Sequence, residues 1–529
     1  MKLVGILLSL IYWFNLVHAF KPYKQNKDHD VIFFDKKDLF INDFQNHEKT
    51  TVNGPTVALT EMHSVANVIQ PNQVQFYTFT LDTSIPPIPS IGAYFVYISG
   101  NICVGPQDSF DSLTVTVSLN SSLLSQEIDS TTGITDFIGG YFYYFVDITA
   151  EDIQTNDLTV YIGVTAPENN NQTLTWNYEI AASQQNSVYQ YDVDTFVTVV
   201  DSDDDSTLIV TNNLTYASGF NVSNADPNDA YSLYIYEYSM LDYFQNMTRS
   251  WCSIRNGPYL TNITIQSDFI SHYSDGTLQQ QFYISGLTKG TQYVGYLTYD
   301  FGQVNSTGGS NSGGIIYEQF QFETLSTQAC EIIFGLSFCD KVAYAVPQSS
   351  SNSSRELLMA TYDNYTEDLF QNFTYALQQI PCDTIENAIF SPITSCANCS
   401  SSYKDWLCSV TIPRCSSRNI TGYKYRDIGQ SRNDLLNNVI QPQEPYFEVL
   451  PCIDVCQSMV RNCPVDFGFQ CPITNASIAL SYYWTVPNSE YPTCNYMGDV
   501  VEIENSSSLK SVNLTFLMVI NMILMVWLI

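Results

Sequence analysis

A chain of 529 residues exceeds what one hydrophobic core ordinarily holds, so several domains are expected. Apolar residues make up 45%, ample for packed cores, while 53 Asp+Glu against 20 Lys+Arg leave a formal net charge of −33. That balance excludes nucleic acid as a partner, because neutralising phosphates requires a basic surface.

The first element in chain order is an address. Lys2 supplies a positive n-region, Leu3 to Leu16 is nearly all apolar, and Val17-His18-Ala19 ends on small residues. Residues 1–19 therefore read as a signal peptide, which sends the chain through the endoplasmic reticulum. Residues 20–55 form a lead-in segment whose cations include Lys21, Lys24, Lys27, Lys36, Lys37 and Lys49.

From Thr50 to Cys330 three cations, Arg249, Arg255 and Lys289, stand against 28 acids. Segments 74–81, 93–99, 113–119, 143–148, 158–164 and 174–180 are short and rich in β-branched or aromatic residues. Leu113, Val115, Val117 and Leu119 alternate with Thr114, Thr116 and Ser118, the period-two pattern of a half-buried strand. A β-sandwich is expected over residues 56–183 and a second over 187–325. In the second, Leu287-Thr-Lys-Gly290-Thr-Gln-Tyr293 resembles the fibronectin type III turn in which a Tyr hydroxyl ties back to the backbone, with Lys289 in place of the Pro. Asp201, Asp203, Asp204 and Asp205 crowd one turn. Ser206 and Asn212 occupy the positions where a calcium-binding EF-hand loop needs Gly and Glu, so a solvated turn is expected there.

The fourteen cysteines are unevenly placed: Cys103 and Cys252 lie in the β half, and the other twelve between Cys330 and Cys494. In a secreted chain an even count reads as a disulfide framework. Zinc is the poorer reading, since Cys396-x-x-Cys399 makes half a site and no His follows His272. Within the cysteine-rich half, Leu358, Tyr362, Tyr365, Leu369, Phe373, Ala376 and Ile380 step by three or four, which predicts a helix with one apolar stripe.

The spacings Cys399-x8-Cys408-x6-Cys415 and Pro451-Cys-x3-Cys456-x6-Cys463-x7-Cys471, with the intervening helix, resemble the Frizzled-type cysteine-rich domain over residues 330–495. That resemblance implies the bridges Cys330–Cys415, Cys339–Cys408, Cys399–Cys463, Cys452–Cys494 and Cys456–Cys471. Cys382 and Cys396 are extra to the pattern and would pair with each other. The expected fold class is thus a mixed multidomain chain: two N-terminal β-sandwich domains, then a disulfide-rich, mainly helical Frizzled-like domain.

Residues 496–513 read as a polar spacer and 514–529 as a hydrophobic tail, sixteen residues with no cation after it. This is the pattern of a glycolipid (GPI) attachment signal, with a short single span as the alternative. N-x-Ser/Thr acceptors occur at Asn120, Asn171, Asn213, Asn221, Asn246, Asn262, Asn305, Asn352, Asn364, Asn372, Asn398, Asn419, Asn475, Asn505 and Asn513. In a secreted chain they are expected to carry glycans at the surface.

The layout as a whole, with Leu450-Pro-Cys-Ile-Asp-Val-Cys-Gln-Ser-Met-Val-Arg-Asn-Cys-Pro464 and Phe469-Gln-Cys-Pro472, resembles the fungal stretch-activated calcium-channel component, the mating-pheromone-induced-death family. The resemblance implies an extracellular accessory subunit at the plasma membrane that supports calcium influx. Its implied partner is a large four-repeat pore-forming calcium-channel subunit. The accessory subunit of the animal sodium-leak channel carries a similar cysteine-rich domain. Alternatives are a cell-surface ligand- or lipid-binding receptor and an anchored cell-wall glycoprotein. No cofactor, metal or catalytic group is expected: His-Glu-x-x-His, Gly-x-Ser-x-Gly and a phosphate loop are all absent. Lys404, Arg414, Arg418, Lys424, Arg426 and Arg432 gather six cations against Asp405 and Asp427. They read either as an offset to the acidic half or as a face that docks on an acidic channel mouth.

Overall fold

The computed structural model describes residues 50–84, 93–106, 112–149, 158–214, 231–244, 247–271, 278–301, 313–349, 354–380, 394–486, 489 and 491–497. The expected signal peptide, most of the lead-in, nearly all of the spacer and the tail lie outside these residues. So do Cys382, Asn221, Asn246, Asn305, Asn352, Asn505 and Asn513. The elements below belong to one unit, Thr50–Glu127 with Thr131–Ile529.

Ten strands come first: β1 (Thr51–Val52), β2 (Val57–Leu59), β3 (Ser64–Ile69), β4 (Gln73–Thr80), β5 (Tyr94–Val104), β6 (Thr114–Ser118), β7 (Gly133–Asp136), β8 (Tyr141–Ile148), β9 (Thr159–Thr165) and β10 (Trp176–Ser183). They form two sheets, β1-β4-β9-β6-β7 with β2 on β4, and β3-β10-β5-β8. Alternate residues from both, among them Tyr77, Val115, Ile162, Val96, Phe142 and Tyr178, build one core between them. Burying such side chains is the main favourable term, roughly 1.5–3 kcal/mol each. The Tyr77 and Tyr178 hydroxyls share a 2.7 Å hydrogen bond across that core, so neither buried oxygen is left unpaired. Strand β6 departs from the half-buried expectation. Thr116 and Ser118 are buried as well, because the 3-10 turn Ser121–Ser125 lies beside β6 and β9 and Leu123 covers their outer side.

Nine strands follow: β11 (Tyr189–Asp192), β12 (Val197–Ser202), β13 (Ser206–Thr211), β14 (Tyr231–Glu237), β15 (Thr264–Ile270), β16 (Gln279–Ser285), β17 (Gln292–Asp300), β18 (Gly314–Tyr317) and β19 (Phe320–Glu323). Their sheets are β11-β18-β17-β14 with β19 on β17, and β12-β13-β16-β15. A second core, with Ile209, Ile235, Phe282, Leu297 and Phe320, lies between them. Gly290 turns with φ +60°, a conformation that disfavours a side chain. Beyond it the Tyr293 hydroxyl accepts from the Thr288 amide at 2.8 Å.

The cysteine-rich region carries two small sheets, β20 (Cys330–Ile333) with β21 (Tyr344–Pro347), and β22 (Arg414–Ser416), β23 (Lys424–Arg426) and β24 (Tyr446–Val449) in the order β22-β24-β23. The described α-helices of six residues or more are α1 (Trp251–Asn256), inserted in the second sheet pair, then α2 (Arg355–Leu377), α3 (Cys396–Thr411) and α4 (Ile453–Asn462). Among the described residues no helix is long and apolar enough to cross a membrane. The stripe on α2 is rotated from expectation. Leu369 is exposed, whereas Asp363 and Thr366 are buried beside Leu358, Tyr362 and Phe373. The Asp363 carboxylate accepts the Phe338 and Cys339 amides, both at 2.8 Å, and Phe370 turns toward Phe338. Two charge-assisted hydrogen bonds outweigh the burial of one more leucine.

Candidate functional site

The staples and joints of the described residues set which side chains reach the surface. Disulfides join Cys330 to Cys415, Cys339 to Cys408, Cys399 to Cys463, Cys452 to Cys494 and Cys456 to Cys471. Cys396 is also disulfide-bonded, so it and Cys399 do not form a metal half-site. A sixth described bridge, Cys103–Cys252, is one to which spacing gave no clue. It ties β5 of the first sheet pair to α1 of the second.

Around that staple the two sheet pairs are closely joined. Ser250 caps α1 and donates its hydroxyl to the Ile102 carbonyl at 2.7 Å, and the Trp251 amide reaches Asn101 Oδ1 at 3.1 Å. Ala181, Tyr189, Tyr236, Trp251, Val294 and Ile316 form a core across the junction.

The second joint is made by the acidic turn between β12 and β13, and here expectation is corrected. The turn is not solvated. Asp203 is fully buried, Asp204 nearly so, and Asp205 alone of the three is exposed. Asp203 accepts the Ile332 amide of β20 at 2.9 Å, and Asp201 accepts the Ala345 amide of β21 at 3.1 Å. Leu208, Val210 and Tyr283 pack on Ile332, Ala345 and Cys415 behind it. Unpaired amides at the rim of the cysteine-rich region need acceptors, and the turn supplies them.

Of the six cations expected on a docking face, Arg414 and Arg418 are drawn into this same joint. Arg414 meets Asp201 at 2.8 Å, with side-chain exposures of 12% and 16%. Arg418 reaches the Glu323 carboxylate at 3.3 Å and its carbonyl at 2.9 Å. Arg426 at 2.6 Å and Arg432 both bind Glu448, which is fully buried. Lys404 pairs with Asp340 at 2.6 Å, beside the matching Lys341–Asp405 pair at 2.7 Å. Lys424 is exposed on edge strand β23. Five of the six thus hold the fold together. Reversing Arg414, Arg418 and Arg426 would therefore break internal pairs as well as change the surface charge.

The described acceptor asparagines are exposed at Asn120, Asn171, Asn262, Asn364, Asn372, Asn398, Asn419 and Asn475, and half-buried at Asn213. At three of them the side-chain oxygen is engaged locally. Asn120 Oδ1 accepts the Ser122 amide, Asn171 Oδ1 accepts the Thr173 amide and hydroxyl, and Asn398 Oδ1 completes the capping box of α3 with Ser395. Those bonds use oxygen and leave Nδ2, the atom that takes a sugar, pointing away from them.

Residues 95–500 match the family described as a stretch-activated Ca2+-permeable channel component. The chain belongs to the Mid1 family. It is similar to the stretch-activated cation channel MID1 of Saccharomyces cerevisiae, 35% identical over 493 residues that cover 85% of this chain and 88% of that one. It is also similar to the stretch-activated cation channel yam8 of Schizosaccharomyces pombe, 33% identical over 388 residues, 72% of this chain and 75% of that one. Membership makes this a component of calcium-permeable channels, and these Mid1 relatives are named as channels, not enzymes.

Proposed function

We propose that this Mid1-family chain is an extracellular accessory subunit that docks on a large four-repeat pore-forming calcium-channel partner at the plasma membrane. The observation that carries the reading is the make-up of the described body: stapled β sheets, bridged helices and exposed acceptor asparagines. A conduit needs polar-lined membrane segments, and none of the described helices is of that kind. In this reading residues 1–19 are removed and the 514–529 tail tethers the chain by a glycolipid or a short span. Residues 56–183 and 187–325 are the sandwich domains, residues 330–495 the Frizzled-like domain, and the exposed asparagines carry glycans.

Affinity purification from membranes in mild detergent tests the assignment. A large multi-span channel should be recovered with the chain. Expression of the chain alone in a channel-null cell should give no stretch-activated current, and a robust current there would overturn the reading.

A further inference from the structure

The joint between the second sheet pair and the cysteine-rich region gathers Asp201, Asp203, Asp204 and Asp205 from the β12–β13 turn beside Glu331 of β20. The carboxylates of Asp203, Asp204 and Asp205 lie within 4.8 Å of one another. Asp201 is neutralised by Arg414. Asp203 is held by four donors. Its Oδ1 accepts the Asp205 amide at 3.1 Å and the Ser206 amide at 2.6 Å, and its Oδ2 accepts the Ser206 hydroxyl at 2.7 Å and the Ile332 amide at 2.9 Å. Glu331 precedes Ile332 and is half-buried. The charged groups that act on it are Asp203, Asp204 and Asp205 from the turn and Arg355 from the start of α2. Tyr283 of β16 is within its field too. The Arg355 guanidinium is sandwiched 4.3 Å from the Tyr283 ring centre and 4.1 Å from that of Phe334, and Lys289 acts on Asp204, so two cations answer four acids.

We propose that this joint is a proton-sensitive clamp: Glu331 takes up a proton to close it, and loss of that proton sets Glu331 against the Asp203–Asp205 turn and loosens it. The inference does not rest on the accessory-subunit reading.

The chemistry distinguishes Glu331 from Asp203. An added proton on Asp203 would displace one of four donated hydrogen bonds, whereas Glu331 has no such set to lose. Burial, then the charges of Asp203 and Asp205, push Glu331 up to about 8, against 4.5 for the free side chain. Burial pushes Asp203 up to about 7 from 3.8, in spite of its donors. The folded joint therefore keeps protons that an unfolded chain has released. Its contribution is complete below the unfolded values, drains as pH rises through about 7 and about 8, and is constant above them. Acid tightens the clamp and alkali loosens it.

Amide hydrogen exchange on the purified full chain in EGTA reads the joint directly, at Ile332 and Ala345, whose amides the turn accepts. Protection corrected for intrinsic rate should fall about tenfold between about pH 6 and about pH 9 in the native chain. Glu331→Gln, fixed in the uncharged form, should keep the part of its protection that the native chain loses through about 8 and lose only the part that follows Asp203 through about 7. Asp205→Asn, at an exposed position that leaves packing intact, should move the midpoint of the loss downward in pH, since removing a neighbouring negative charge lets Glu331 give up its proton more readily. Flat protection in the native chain would overturn the proposal. So would a Glu331→Gln chain that loosens as the native one does, or an Asp205→Asn chain whose midpoint is unmoved.

Discussion

Arg414 Nε sits 2.8 Å from Asp201 Oδ2, and the same guanidinium donates to the Val200 carbonyl at 2.9 Å, so the pair is both charged and hydrogen-bonded where little water reaches. Removing one partner of such a pair leaves a lone charge. Arg414→Ala should cost about 3 kcal/mol or more of stability, and adding Asp201→Asn should recover part of it, as urea denaturation midpoints would show. The Arg255–Asp300 pair, with exposures of 32% and 44%, supplies the contrast: Asp300→Asn should change stability by about 1 kcal/mol or less. Equal losses at the two sites would mean that burial does not govern these pairs. None of the docking-face cations could be assigned a partner from local sequence, because Asp201 and Glu323 lie 213 and 95 positions away from Arg414 and Arg418.

Among the elements, α2 and α3 both carry acceptor asparagines, yet they use them differently. Asn364 is exposed on α2 with no part in its ends, whereas Asn398 is the third helical residue of α3 and closes its capping box. Asn398→Ala should therefore destabilise the enzymatically deglycosylated chain by about 1 kcal/mol through the lost cap. Asn364→Gln should stay within about 0.5 kcal/mol. Thermal midpoints decide between them, and equal effects would remove any structural role for the Asn398 side chain. The periodicity of α2 was legible in the sequence, as was its length to within a turn. Its rotation was not, because the pull on Asp363 comes from amides at Phe338 and Cys339, outside the helix.

For the whole molecule the two joints matter more than any one sheet. The Cys103–Cys252 bridge closes 149 residues with no other described bridge inside that span, whereas Cys456–Cys471 closes 15. Loop entropy assigns about 5 kcal/mol to the first and about 3 kcal/mol to the second. Replacing both cysteines of each pair by serine should reproduce that order in chemical denaturation. The first pair should also make the boundary near Ser183–Tyr189 more sensitive to limited protease than the second does. A Cys103/Cys252 variant as protease-resistant as the native chain would show that the apolar junction suffices alone.

The alternation of apolar and polar residues determined by itself where six of the first ten described strands would lie, since a strand's pattern reflects neighbours on its own two faces. The cysteine count likewise pointed to a stapled chain, and the Cys-Pro-rich run near Pro451 carried the family. Burial of the Asp203 turn, the partners of five of the six cations, the Cys103–Cys252 staple and the covering of Thr116 were decided only in three dimensions. Each of these depends on which distant segments meet. A turn of four acids reads as solvated until a second region presents amides that need acceptors.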